Sequence, residues 1–322
     1  MKAIRVHKLG GPEVLQFEEI AEPQPGPGQV AVKVEAIGVN FIDTYLRSGQ
    51  YKMALPGTLG REAAGTVIAL GEGVANLRVG ERVAGADVPA AYAEVVVAPA
   101  DRLVPLPPGL DVRHAAAVML QGMTAHYLAV STYPLREGET CLVHAAAGGV
   151  GLSLCQIARM RGARVIATVS SEEKAARATE AGANDVIRYD QVDFAAALKK
   201  LTEGRGVDVV YDSVGRDTFD RSLLSLRRRG MLVLYGQSSG AVPPLDPQRL
   251  AMAGSAFLTR ATLADYIATR EDLLGRAADL FEWIASGKLS VRIGLELPLA
   301  DAAEAHRRLE GRLTTGKVLL IP

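Results

Sequence analysis

The stretch Thr140–Gly151, T-C-L-V-H-A-A-A-G-G-V-G, decides the fold. An apolar run enters a turn built of alanine and glycine, and helical periodicity follows it. Such a strand–turn–helix junction is where a dinucleotide pyrophosphate would sit. The fingerprint G-x-G-x-x-G uses its glycines for the tight turn, for backbone approach to phosphate and for helix–strand packing. Ala146, Gly148 and Gly151 fill those positions, with Gly149 and Val150 between the last two and alanine replacing the first glycine. A glycine-rich turn alone belongs to many α/β domains, so its neighbours decide what it means.

Strand-like and helix-like segments alternate downstream. Strands are predicted at Thr140–His144, Ala163–Val169, Asp185–Ile187, Val207–Asp212 and Met231–Tyr235, and helices at Leu152–Arg161, Glu172–Ala181, Phe194–Thr202 and Asp217–Leu226. That alternation predicts a doubly wound parallel sheet, in which ligands bind off the carboxyl ends of the strands. The loops Ala145–Gly151, Ser170–Lys174, Asp212–Gly215 and Gly236–Gly240 all follow strands and are expected to converge on one crevice.

Upstream, Val30, Val32 and Val34 alternate, and turn signals recur at Pro25–Gly28, Gly71–Gly73 and Gly85, so the first third reads as a β-rich domain. The rhythm changes near Leu120, with Thr124–Val130 helical. After the proline-containing stretch Val242–Pro247, a long helix is predicted from Ala264 to Ser286. Strands at Val291–Leu297 and Lys317–Ile321, with a helix at Asp301–Leu309 between them, are expected to rejoin the N-terminal sheet. The 322 residues therefore divide into a β-rich catalytic domain, 1–122 with 265–322, and a dinucleotide-binding domain, 123–264.

The 36 basic and 36 acidic residues leave no global field to attract a nucleic acid or an acidic membrane surface. Arg227–Arg229 reads as a cationic helix C-terminus before Gly230. Cys141 and Cys155 are too few for a disulfide framework or a four-cysteine zinc site and suit a reducing compartment. Met1–Gly11 carries charges and no apolar run, and no stretch approaches the roughly 20 apolar residues of a membrane helix. A soluble cytoplasmic protein is expected. Among the histidines, His144 reads as a packed core residue, and His7, His114, His126 and His306 show no partner spacing.

A site that prefers NAD places an acidic residue about 20 positions past the glycine motif, on the ribose 2′-hydroxyl. Here that strand ends in Val169–Ser170–Ser171, followed by Lys174, and Arg188–Tyr189 closes the next strand. Ser170 and Glu173 have the spacing of a capping box, which would turn Glu173 back toward the helix start. NADPH is the expected cofactor.

Further motifs extend along nearly the whole chain: A-I-G-V-N-F-I-D (Ala36–Asp43), G-R-E-A-A-G-T-V (Gly60–Val67), V-G-E-R-V (Val79–Val83), L-Q-G-M-T-A (Leu120–Ala125), Y-D-S-V-G (Tyr211–Gly215) and Y-G-Q-S-S-G (Tyr235–Gly240). In this order, with His144–Gly151, they resemble the zinc-independent quinone oxidoreductases of the medium-chain dehydrogenase/reductase superfamily. The resemblance implies a Rossmann domain beside a GroES-like catalytic domain, with NADPH bound between them. It implies that Asn40, Tyr45, Thr124, Tyr127, Gly148, Gly149, Val150, Gly151, Ser170, Lys174, Tyr189, Ser213, Tyr235, Gly236, Gln237, Ser238 and Arg312 line the site, with Lys174 and Tyr189 on the 2′-phosphate. Alcohol dehydrogenases of that superfamily hold zinc at positions that here carry Asn40, Arg61 and Gln121, and their four-cysteine lobe is missing, so no metal is expected.

A quinone or conjugated enone accepts hydride into a delocalised system and needs less Lewis-acid help than a simple ketone. The expected reaction is reduction of quinones by hydride from nicotinamide C4. Reduction of α,β-unsaturated carbonyls, and a non-catalytic NADPH-binding role of the crystallin or RNA-binding kind, are the alternatives. Asn40 and Tyr45 read equally as polar contacts to nicotinamide or substrate and as partners for loop backbone. The proton comes from Tyr45 or from water. In Ala86–Glu94, Ala90–Ala91 replace the family's glycine before Tyr92, which leaves substrate choice open. Similar reductases are homodimers joined through the nucleotide-binding domain, and Gly240–Phe257, whose only charges are Asp246 and Arg249, is the candidate interface.

Overall fold

Along the strand Gln29–Val39 Lys33 and Glu35 are exposed, Gln29 is half-buried and the rest are buried, so the valine alternation read from the sequence marks a largely buried strand. A computed structural model describes all residues from Met1 to Pro322. In chain order it places β1 (Lys2–Val6), β2 (Leu15–Glu19), β3 (Gln29–Val39), α1 (Phe41–Ser48), β4 (Gly57–Thr58), β5 (Glu62–Leu70), β6 (Arg82–Gly85), β7 (Val95–Pro99), β8 (Val104–Pro105) and α2 (Val112–Tyr127). Next come β9 (Thr140–Val143), α3 (Gly149–Met160), β10 (Arg164–Val169), α4 (Glu172–Glu180), β11 (Asp185–Arg188), α5 (Phe194–Leu201), β12 (Val207–Asp212), α6 (Phe219–Leu224), β13 (Leu226–Leu234), α7 (Gln248–Met252) and β14 (Phe257–Thr259). The chain ends with α8 (Leu263–Tyr266), α9 (Arg270–Ala285), β15 (Ile293–Pro298), α10 (Ala302–Glu310) and β16 (Lys317–Ile321).

Two units result, one of Met1–Met123, Ile267–Ala285 and Val291–Pro322, the other of Thr124–Tyr266 and Ser286–Ser290. The first holds a sheet β2-β1-β4 and a sheet β15-β16-β3-β5-β6-β8, with β7 also paired to β3. The C-terminal strand β16 lies antiparallel to β3, pairing Val318 with Val39. Ile37, Val67, Val83 and Val318 pack in one core, each buried residue of this size contributing about 1.5–3 kcal/mol.

The second unit is a parallel sheet in the order β11-β10-β9-β12-β13-β14. Strand order reverses beside β9, which is buried along its whole length, as a strand covered on both faces must be. The sixth strand, β14, adds to the five predicted; it has three residues and follows the turn at Gly254 and Ser255, both at positive φ.

Several sequence expectations need correction. Arg227–Arg229 does not end a helix: α6 stops at Leu224 and the three arginines lie on β13, where Arg227 pairs with the buried carboxylate of Asp208. The helix predicted over Ala264–Ser286 is broken in two, because Thr269 and Asp272 cap a fresh start, the Asp272 N–H donating to Thr269 Oγ1 at 3.1 Å. The helix of Thr124–Val130 is the end of α2, passing into a π-helical turn over Leu128–Thr132. The cap of α4 is Ser171, which accepts from the Lys174 N–H, and not Ser170.

The segment Ala86–Glu94 is pinned at its far end, where the Ile4 N–H donates to Tyr92 O at 2.8 Å and the Glu94 N–H to Lys2 O at 3.0 Å. Its turn puts Ala90 at φ +56°, a conformation that a Cβ disfavours and glycine adopts freely. Ala90→Gly is expected to stabilise the protein by about 0.5–1 kcal/mol in urea denaturation. A loss of stability would mean that the turn is paid for elsewhere in the loop.

Candidate active site

The glycine loop begins with Ala145 at φ +50° and closes when the Gly148 N–H donates to Ala145 O at 3.0 Å. Gly148 is the N-cap of α3 and no side chain caps that helix, so its first-turn N–H groups face outward unpaired by side chains. The glycines differ in their reason. A Cβ on Gly151 would come within 2.5 Å of Ala145 O and 2.6 Å of Ala146 Cα, whereas on Gly148 it would meet only Ala145 O, at 3.3 Å. Gly151 is a packing glycine, and Gly148 leaves its outer side clear.

Beneath the loop lies a buried polar chain. Asp212, fully buried at the end of β12, accepts from the Val214 and Gly215 N–H groups, from Thr218 Oγ1 and from Ser222 Oγ. Because the Ser222 hydroxyl hydrogen is committed there, His144 Nε2–H donates to Ser222 Oγ at 2.9 Å and Nδ1 accepts from Thr168 Oγ1 at 2.8 Å. Burial holds the His144 pKa below the ordinary histidine value, so this neutral tautomer persists. The chain links the ends of β9, β10 and β12. Loops after β12 and β13 also lock together: a Cβ on Gly236 would reach 2.6 Å from Ser213 O, which accepts from the Ser238 N–H at 3.1 Å.

At the ends of β10 and β11, Lys174 Nζ donates to Ser170 Oγ at 3.3 Å, and the Tyr189 N–H donates to Val169 O at 3.1 Å. Ser170, Lys174 and Tyr189 therefore sit on neighbouring strand ends. Arg188 does not join them as a spare cation, because Glu172 and Asp190 bind its guanidinium at 2.8 and 2.7 Å. Thr124 and Tyr127 are buried on α2, with the Tyr127 ring stacked on Tyr266 at 4.2 Å. Tyr235 and Gln237 follow β13, and Arg312 is exposed in the turn after α10 at φ +58°.

The first unit contributes a second cluster. Glu62, Asn40 and Lys317 are all buried. Glu62 Oε2 accepts from Asn40 Nδ2 at 2.8 Å and from Lys317 Nζ, while Oε1 accepts from the Leu120 N–H at 2.6 Å. Asn40 also donates to Gly38 O and accepts from Lys317 Nζ and Gln121 Nε2, at 3.2, 2.9 and 3.0 Å. Both its donor hydrogens and both its acceptor lone pairs are used within the protein. Gln121 keeps a buried Oε1 with no partner. Tyr45 packs in an aromatic group with Phe41 and Tyr51. Arg61 is half-exposed and pairs with Asp87 at 2.6 Å.

From the helix that Asn40 opens, a hydrogen-bonded chain leads outward. The Tyr92 hydroxyl donates to Asp43 Oδ2 at 3.1 Å, His306 Nε2–H donates to Tyr92 at 3.0 Å, and Arg47 donates to His306 Nδ1 at 2.9 Å. Arg47 in turn pairs with Glu310 at 2.6 Å. Burial, then the charge of Arg47, pulls His306 down to about 3, and burial raises Asp43 from 3.8 to about 7. No local spacing signals this chain, since His306 meets partners 259 and 214 residues away. His114 did have a readable partner, Asp111, three residues before it and 3.2 Å distant.

Residues 26–108 match the family model described as alcohol dehydrogenase GroES-like domain, and residues 149–277 that described as zinc-binding dehydrogenase. Quinone oxidoreductase of Pseudomonas aeruginosa is 47% identical over 100% of this chain and 99% of its own. The chain belongs to the quinone oxidoreductase family. A 2-haloacrylate reductase of a Burkholderia species is 42% identical, with 98% of each chain covered. Among solved structures, Escherichia coli quinone oxidoreductase complexed with NADPH aligns with a TM-score of 0.98 at 46% identity over 100% of both chains. The GroES-like and Rossmann architecture implied by the motifs is thus shown, and the medium-chain dehydrogenase/reductase resemblance holds from end to end.

The titrations of Asp43 and His306 oppose each other. Folded Asp43 keeps its proton to about pH 7, against 3.8 ordinarily, so the stability it contributes is present at low pH and falls as pH rises through that window. His306, held at about 3 against 6.5, loses stability as pH falls. The stability of the native protein relative to Asp43→Asn is expected to decline between pH 4 and 7 in urea titrations, the window being that of Asp43 alone. A pH-independent difference would show that Asp43 ionises in its ordinary range.

Proposed function

We propose that this chain is an NADPH-dependent reductase of quinones that works without zinc. The observation that carries the reading is the Gly148 turn, an uncapped helix start with a clear outer side at the switch point of a parallel sheet. The N–H groups of Gly149, Val150 and Gly151 would hold the pyrophosphate, and the space outside Gly148 admits it. Lys174, with Ser170 and Tyr189 on adjoining strand ends, would bind the 2′-phosphate, and no carboxylate stands at the end of β10 to repel it. Thr124, Tyr127, Ser213, Tyr235, Gly236, Gln237, Ser238 and Arg312 are proposed to line the remainder of the cofactor site. When bound, NADPH supplies hydride from its nicotinamide C4, and a quinone that takes up this hydride and one proton leaves as the hydroquinone. Tyr45 is proposed to contact the substrate. Asn40, saturated by its own neighbours, acts by shaping the site.

Zinc does not suit the residues present. Asn40 and Gln121 bond to each other through their amides, the Lys317 ammonium donates to Asn40, and Arg61 would add a further positive charge. A second reading, reduction of α,β-unsaturated carbonyls, is favoured by the kinship to a 2-haloacrylate reductase. No helix is long and apolar enough to cross a membrane, and a cytoplasmic location is part of the proposal. The edge strand β14, with Phe257 57% exposed, supports a homodimer joined through the Gly240–Phe257 segment.

Oxidation of NADPH by benzoquinone, compared with NADH and with a chelator-treated sample, tests this reading. Turnover that prefers NADPH and survives chelation is expected; faster kcat/KM on a 2-alkenal would make the second reading the primary one. Lys174→Ala is expected to weaken NADPH binding by about 1.5–3 kcal/mol with little change for NADH. Equal losses for both would remove Lys174 from the phosphate site.

A further inference from the structure

The Lys317 ammonium is fully enclosed, and burial pulls its pKa below the ordinary lysine value. A buried ion pair is weak evidence of stabilisation, since desolvation consumes much of the attraction and an apolar pair of similar volume often serves as well. What the pair does here is orient. Lys317 and Gln121 both donate to the same atom, Asn40 Oδ1, and Asn40 Nδ2 is fixed by Glu62 and Gly38. Glu62 also holds the backbone of Leu120, the residue before Gln121. A Cβ at Gly38 would overlap the Glu62 carboxylate, so the strand itself makes room for the pair.

The chain of contacts ends at Gln121. Its Nε2 is anchored to Asn40, and its Oε1 is left buried with no donor, a state that is unfavourable until a donor arrives. Gln121 lies three residues before Thr124 on α2, so the two share a helix face. We propose that Gln121 is a ligand-contacting residue whose carbonyl accepts a hydrogen bond from an N–H or O–H donor of the bound ligands, and that Lys317 is the positioning residue that sets this amide through Asn40. The inference rests on the proposed function for the presence of those ligands. Two donors fit the chemistry, the primary carboxamide of the nicotinamide and the hydroxyl of the quinol.

Gln121→Met keeps the length of the side chain and removes the acceptor. Binding of NADPH and of 2′-phospho-ADP-ribose, which lacks the nicotinamide, is followed by calorimetry without turnover, and benzoquinone reduction gives kcat and KM. If the carboxamide is the donor, the variant binds NADPH roughly three- to tenfold more weakly and 2′-phospho-ADP-ribose unchanged. If the quinol is the donor, both affinities hold and hydroquinone, added as product to the benzoquinone assay, inhibits roughly three- to tenfold more weakly. No change in any of the three overturns the assignment of Gln121.

Lys317→Met alone strands a buried carboxylate and risks misfolding, so Lys317 is tested in the double variant Glu62→Gln/Lys317→Met, which is neutral and close in volume. With a positioning role, this variant unfolds at the native urea concentration yet shows the same ligand defect as Gln121→Met, and adding Gln121→Met deepens it no further. With a structural role alone, its ligand affinity and kcat/KM equal those of the native protein, which overturns the role of Lys317. Failure of the native protein to bind NADPH would instead count against the proposed function.

Discussion

Glu62 is a carboxylate with no access to solvent, and much of the first unit is arranged to satisfy it. Its two oxygens take hydrogens from Leu120 on α2, from Asn40 at the start of α1 and from Lys317 on β16. Segments from the beginning, middle and end of the chain are thereby fixed to β5 through one group. An unpaired carboxylate there would be intolerable, so the last strand has to close on β3 for the pair to form. A buried pair of this kind is weak evidence of stabilisation, and orientation is the role proposed for it.

The second unit solves a similar problem without a cation. Asp212 is also fully buried, but it is held by backbone N–H groups and hydroxyls, and the neutral ring of His144 extends the network to Thr168. Strand ends that carry the glycine loop, the Ser170 turn and the Ser213 loop are tied together from beneath. The proposed phosphate site would gain from this choice, since the supporting shell adds no mobile charge and no side chain caps the start of α3. Cofactor preference is accordingly local. A chain with equal numbers of acidic and basic residues has no field to select a phosphorylated ribose, so in the proposed site the selection would fall to Lys174, with Glu172 turned to Arg188.

The sequence by itself determined the class of fold. Alternating periods, glycines at the strand–helix turn and a succession of family motifs are local signals, and β9, β10, β12 and the loops after them lie where those signals put them. Signals failed where local pattern was ambiguous. Three arginines before a glycine look like a helix end, but Arg227 serves the buried Asp208 from within a strand, and the short edge strand β14 carries too few residues to show a period. The tertiary structure alone decided the partners. Asn40 stood out in the sequence as a polar residue, yet nothing near it in the chain shows that Lys317 and Gln121 would use up its acceptor, or that His306 would bridge Arg47 and Tyr92. Hydrogen bonds between residues hundreds of positions apart leave no periodicity to read, because they are set by how sheets and helices pack and not by what the backbone prefers locally.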